Sequence, residues 1–168
     1  GDSRISVIGL FYNINQQNVH AYVFGEHGDS SFVPWSLGNI SNIPIDRYAE
    51  SLTNADMMEP KLVHSEVETY IRKSGGKIIE RKGATFYAVA LAVRRIAESI
   101  IGNEKSILTV SSLLEGEYGI RDMCLSVPTV VSSEGAERVL EIKFSDEEID
   151  GLRKSAEKLK ELAKEIGY

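Results

Sequence analysis

Residues 19–30 read Val19-His20-Ala21-Tyr22-Val23-Phe24-Gly25-Glu26-His27-Gly28-Asp29-Ser30. The first six are rich in β-branched and aromatic side chains, which predicts a strand over Val19–Phe24. Glycines on both sides of Glu26-His27 predict a sharp bend whose backbone can approach a ligand closely. An imidazole placed there can give or take a proton near neutral pH. Two readings of His27 follow: a loop histidine satisfied by backbone hydrogen bonds, or a general acid/base. The second needs a carboxylate to fix the tautomer. Asp2 is a distant candidate for that carboxylate. Asp29, two residues away on a tight bend, is expected to shape the turn instead.

Upstream, Ile5, Ile8 and Phe11 predict a short helix over Arg4–Phe11, followed by a polar turn over Asn13–Asn18. Downstream, Phe32–Ser36 reads as extended and Gly38–Pro44 as a loop, with Pro44 biasing Ile43 away from helix. Ile45–Ser51 predicts a helical turn and Thr53–Glu59 a polar excursion. A long helix is expected from Pro60, with Val63, Val67, Tyr70 and Ile71 on one face. Gly75-Gly76 argues against its continuity. Lys82-Gly83 is expected to break it. A second helix then places Val89, Val93, Ile96 and Ile100 in an apolar stripe closed by Gly102-Asn103.

The period changes after that point. Ser106–Leu114, Asp122–Val131 and Arg138–Phe144 predict strands, the last alternating Leu140, Ile142 and Phe144 against Glu141 and Lys143. Gly116, Gly119 and Ser132–Gly135 supply short connections, so antiparallel pairing is expected. Ser145 followed by Glu148 is a capping-box signature. The terminal helix carries Ile149, Leu152, Ala156, Leu159, Leu162, Ala163 and Ile166 on one face, and its Lys/Glu remainder reads as solvated surface. The layout is α+β with a mixed or antiparallel sheet, and residues 1–168 read as one domain.

With 168 residues, 42% of them hydrophobic and 26% charged, the chain can bury a sizeable core. A net charge of −6 with no Lys/Arg cluster argues against nucleic-acid binding. The apolar run Phe86–Val93 is too short to cross a bilayer, so no membrane partner is expected. A single cysteine, Cys124, excludes an intrachain disulfide and fits a reducing, cytoplasmic compartment. The chain lacks an initiator methionine or a signal-type segment, and Gly1-Asp2-Ser3 runs straight into helix-like sequence. It is expected to be part of a longer protein.

Other chemistry-bearing residues are few. His20 lies within the strand pattern, where burial as a neutral ring or plain exposure is the simpler reading. His64, among Glu66 and Glu68, reads as surface. The three histidines have no metal-ligand spacing, so no metal site is expected. In Lys82-Gly83-Ala84-Thr85 the glycine ends one helix and Thr85 opens the next. Free amides and a hydroxyl there could meet an anion, or Thr85 could simply cap the helix. Arg4 could be an ordinary surface cation or grip a carboxylate through two parallel hydrogen bonds.

Together these segments resemble the C-terminal, substrate-binding half of the L-lactate dehydrogenases. The likeness runs through Asn18–Tyr22, Gly25–Ser30, Pro34-Trp35-Ser36, Lys82–Thr85, Tyr118-Gly119-Ile120 and Ser126-Val127-Pro128 to the terminal helix. The hexapeptide around His27 is its most specific part. Glu26 and Thr85 place the chain on the lactate side of the malate dehydrogenases, which favour glycine at the first position and a serine-containing motif at the second.

The resemblance implies the lactate/malate dehydrogenase C-terminal fold and interconversion of L-lactate and pyruvate with NAD. It implies His27 as proton acceptor and donor, Thr85 in the substrate pocket, and Val89 as a wall against the nicotinamide ring. His20 matches the histidine with which bacterial allosteric members bind fructose 1,6-bisphosphate across a subunit interface. A homotetramer is the family habit. The family's Leu-Asp-Ser-x-Arg-x-Arg start is shortened here. A gap-free count from His27 puts Ser3 and Ile5 at the carboxylate-binding and effector positions. Small deletions instead align Asp2 with the orienting aspartate and Arg4 with the carboxylate arginine, leaving Ser6 at the effector position, and the chemistry favours this second alignment.

The chain has no Gly-x-Gly-x-x-Gly fingerprint after an N-terminal strand. NAD is therefore expected to be held mainly by a nucleotide-binding half outside these residues, and residues 1–168 alone are expected to turn over little. Two competing expectations stand beside this one: a malate or other 2-hydroxy acid dehydrogenase, and a catalytically silent domain kept for assembly, with Trp35 or the long helices serving there.

Overall fold

A computed structural model of the chain describes residues 8–26, 28–52, 62–82 and 86–167. Two compact units emerge, one from Gly1–Tyr22 with Val33–Ala88 and the other from Val23–Phe32 with Val89–Tyr168.

In the first unit, residues 8–11 form a helical turn, as their spacing predicts. Asn15 then caps a 3₁₀ turn at Gln16–Asn18 by accepting from the Gln17 amide. The strands are short: β1 (Val19–His20), β2 (Asn39–Ile40) and β3 (Ile43–Pro44), paired antiparallel in that order. The expected loop over Gly38–Pro44 is therefore a hairpin. Its turn residues Ser41 and Asn42 both adopt positive φ, of 50° and 70°, the twist that a two-residue hairpin turn requires. Pro44 does hold Ile43 extended.

After β3 come α1 (Ile45–Tyr48) and a 3₁₀ turn at Ala49–Ser51. The predicted extended run Phe32–Ser36 ends early, because Trp35–Leu37 is a 3₁₀ turn. Ile8, Val19, Ala21, Ile40 and Ile45 make the core of this unit, with Tyr12, Trp35 and Tyr48 packed against it.

The long helix α2 spans His64–Lys82. Gly75-Gly76 does not interrupt it: a cost of about 1 kcal/mol per glycine is small beside the hydrogen-bond ladder of 19 residues. Val67 is buried, whereas Val63 precedes the helix and is exposed. The helix expected from Pro60 starts only at His64, because Leu62 and Val63 are not helical. The expected excursion over Thr53–Glu59, Pro60 itself and the break at Gly83 lie outside the described residues. The next helix, α3, spans Phe86–Ile101.

The second unit is built on β4 (Ser106–Glu115), β5 (Arg121–Ser132) and β6 (Gly135–Val139), an antiparallel sheet in chain order. A 3₁₀ turn at Glu117–Gly119 joins the first two, with Tyr118 held at φ 57° between Gly116 and Gly119. The predicted third strand is displaced toward the N-terminus. A tight turn at Ser133-Glu134 starts β6 at Gly135, and the ladder ends at Val139. Leu140, Ile142 and Phe144 still alternate inward, because Phe144 packs on Phe24 and Tyr118 with ring centroids 5.4 and 5.2 Å away. Periodicity there reports side-chain burial without strand pairing.

The terminal helix α4 spans Asp146–Glu165 and opens on the predicted capping box: Ser145 accepts from the Glu148 amide and Glu148 from the Ser145 amide. Leu152, Ser155 and Ala156 are its buried residues.

Candidate functional site

The predicted strand Val19–Phe24 is not continuous. Val19 and His20 pair with Ile40 and Asn39, whereas Phe24 pairs with Phe32 and Gly25 with Ser126 of β5. Those bridges belong to the second unit and fix the base of the loop that carries His27. Gly25 donates to the Ser126 carbonyl and accepts from its amide, both at 3.1 Å. Its φ of +91° is a conformation glycine adopts without penalty, and a Cβ there would lie 2.7 Å from the Ser155 hydroxyl oxygen.

Beyond Gly25 the loop leans on α4. The Glu26 amide donates to Ser155 Oγ at 2.6 Å, and Ser30 Oγ lies 3.1 Å from the same oxygen. Ser30 Oγ also donates to Glu26 Oε2. Lys158 Nζ approaches that carboxylate oxygen at 3.4 Å. The Ser30 hydroxyl, and after it the Lys158 ammonium, hold the Glu26 carboxyl below its ordinary value, against a burial that pushes the other way. The turn is closed by the Ser31 amide and hydroxyl, both donating to the Gly28 carbonyl. Asp29 is exposed within that turn.

The sequence pattern assigns the Lys/Glu side of the terminal helix to solvated surface only. Lys158 departs from this by pairing with Glu26. Ser155 is a second site residue that the pattern does not single out, although it falls between Leu152 and Leu159 on the apolar face and its short polar side chain marks a place of close approach. His27 itself, Asp2, Arg4 and Thr85 lie outside the described residues. Val89 is described: it sits in the first turn of α3 and is 56% exposed. His20 is exposed in β1.

His64 is a correction. It is not a plain surface residue: its ring stacks on Trp35 with centroids 3.9 Å apart, and its Nε2 lies 2.7 Å from Asp46 Oδ1. Trp35 Nε1 donates to Glu68 at 2.8 Å, and Arg72 pairs with that glutamate at 3.1 Å. Stacking on Trp35 and the Asp46 carboxylate of α1 give the His64 ring partners that a plain surface position would lack.

Among the described residues no cluster of three or more His, Cys, Asp or Glu could hold a metal ion. No helix among them is long and apolar enough to cross a membrane.

A family model for the lactate/malate dehydrogenase, alpha/beta C-terminal domain matches residues 4–167. An L-lactate dehydrogenase of Acetivibrio thermocellus is 51% identical over 153 residues, covering 91% of this chain and 47% of that protein. One from a Thermoanaerobacter species is 47% identical over 154 residues, covering 92% and 49%. Among solved structures, a lactate dehydrogenase enzyme from a Medee basin deep-sea metagenome library superimposes with a TM-score of 0.87 at 31% identity. That match covers 99% of this chain and 52% of the other. The chain thus spans about half the length of the relatives it matches. The α+β fold read from its periodicity and its resemblance is the fold of these relatives. With the match running from residue 4 to residue 167, the chain belongs to the lactate/malate dehydrogenase, alpha/beta C-terminal domain family.

Proposed function

We propose that residues 1–168 are the single substrate-binding domain of an NAD-dependent L-lactate dehydrogenase that interconverts L-lactate and pyruvate. The observation that carries this reading is the 51% identity to an L-lactate dehydrogenase across nearly the whole chain. The anchored loop around residues 25–30 supports it, since proton transfer to a small substrate requires a general base held in register.

In this reading His27 takes the hydroxyl proton when lactate is oxidised and returns a proton to the carbonyl oxygen when pyruvate is reduced. Asp2 fixes the tautomer of that imidazole, Arg4 grips the substrate carboxylate with two parallel hydrogen bonds, and Thr85 lines the pocket. NAD, when bound, supplies the hydride acceptor or donor for the substrate carbon. The exposed apolar side chain of Val89 is suited to lie against a planar ring, and the rest of the cofactor would be bound by a nucleotide-binding half.

His20, exposed in β1, is available to a phosphorylated effector, and the resemblance points to fructose 1,6-bisphosphate. A cytoplasmic homotetramer acting in fermentative glycolysis completes the proposal. NADH oxidation followed in the intact protein tests it. Pyruvate is expected to be turned over in clear preference to oxaloacetate, and residues 1–168 alone to turn over little. A preference for oxaloacetate, or near-normal activity of the isolated residues, contradicts it.

A further inference from the structure

The loop around His27 makes an unusual demand on one buried hydroxyl. Ser155 sits in the middle of α4 and is 0% exposed. A mid-helix serine commonly bonds back to the carbonyl one turn earlier. Here its oxygen instead meets the loop three times: it accepts the Glu26 amide at 2.6 Å, lies 3.1 Å from Ser30 Oγ, and faces the side of Gly25 where no Cβ exists. One turn along, Lys158 reaches the Glu26 carboxylate at 3.4 Å. One turn back, a Cβ at Gly151 would lie 3.4 Å from the Phe32 ring. Positions 151, 155 and 158 follow the four-then-three spacing of one helix face. That face therefore meets the loop at residues 25, 26, 30 and 32, on both sides of residue 27 in the chain.

Resting on the reading of His27 as the proton-transfer residue, we propose that Ser155 and Lys158 are positioning residues of the terminal helix that hold the His27 loop in its working geometry. Ser155 fixes the Gly25–Glu26 peptide on one side of residue 27 in the chain and the hydroxyl of Ser30 on the other. Lys158 holds the same Glu26 carboxylate oxygen to which Ser30 donates. Neither residue has to touch substrate. The Lys158–Glu26 pair is partly exposed, with side chains 41% and 15% accessible, so its loss costs little global stability. That separates positioning from folding, because a misplacement of about 1 Å in a catalytic group can cost roughly 100-fold in rate.

The test uses the intact protein with Ser155→Ala, Lys158→Met and Lys158→Arg. Ser155→Ala is expected to lower kcat for pyruvate reduction by about 10- to 100-fold, and Lys158→Met by about fivefold or more, with KM for NADH unchanged. Lys158→Met should leave the Tm within about 1 °C of wild type, and Lys158→Arg should restore most of the rate. Amide hydrogen exchange across residues 25–31 should quicken in Ser155→Ala and Lys158→Met even in a protein that does not reduce pyruvate. Wild-type kcat in both variants, a loss that merely tracks the Tm, a loss Arg fails to rescue, or unchanged exchange across the loop overturns the proposal. Failure of wild-type turnover, or indifference to His27→Asn, would instead fault the functional reading.

Discussion

The two long helices α3 and α4 look alike as sequence and behave differently in the fold. Each carries an apolar stripe at helical spacing. In α4 the first half of the stripe is used: Leu152, Ser155 and Ala156 are buried, and that face holds the loop at residues 25, 26, 30 and 32. Leu162 and Ile166 near its end are exposed. In α3, Val89, Leu91 and Val93 are 56, 55 and 59% exposed, and burial is reached only toward the far end, where Ser99 donates to the Val131 carbonyl at 3.0 Å. The stripe expected over Val89–Ile100 is thus present as sequence and largely uncovered within these residues. Amphipathic spacing shows which face of a helix can be buried. It does not show what buries it.

This contrast can be broken by side-chain truncation. Leu152→Ala should cost about 2–5 kcal/mol in urea unfolding, because a fully buried leucine leaves a cavity behind. A smaller loss would mean that α4 is not the anchored helix of the pair. Glu26→Gln sharpens the comparison from the loop side. The Glu26 carboxyl titrates below its ordinary 4.5 in the fold, so its contribution to stability is present above that pH and is lost as pH falls through the lowered value. Tm measured from pH 7 down to about 3 should therefore fall less steeply in Glu26→Gln than in wild type. Equal slopes would show that the Ser30 and Lys158 contacts do not stabilise the charged form. Leu91→Ala in residues 1–168 should change stability by less than about 0.5 kcal/mol, as exposed positions do. A larger loss would contradict the exposure of α3.

Much of the second unit is legible in the amino-acid sequence alone. The capping box at Ser145 and Glu148, the run of β4 into β5, and the tight turn around Ser132–Gly135 each have a local signature that tertiary packing does not override. The first unit is harder to read. Strands of two residues show no alternation, so β2 and β3 read as loop, although the Ser41-Asn42 turn is the kind of pair that tolerates positive φ. The split of Val19–Phe24 between two pairings is invisible in the sequence, because β propensity marks extended residues and not their partners. At the site, the hexapeptide announces itself through its glycines. Ser155 and Lys158 do not, because they lie about 130 residues away and look like an ordinary helix surface.

We propose that the loop anchored on α4 carries the group that moves the substrate proton, His27. The most direct test is kcat for pyruvate reduction by the intact protein and by His27→Asn, with NADH binding measured alongside. The predicted result is a fall of roughly 10²- to 10⁴-fold in kcat with NADH affinity retained. A His27→Asn protein that reduces pyruvate at the wild-type rate would contradict it.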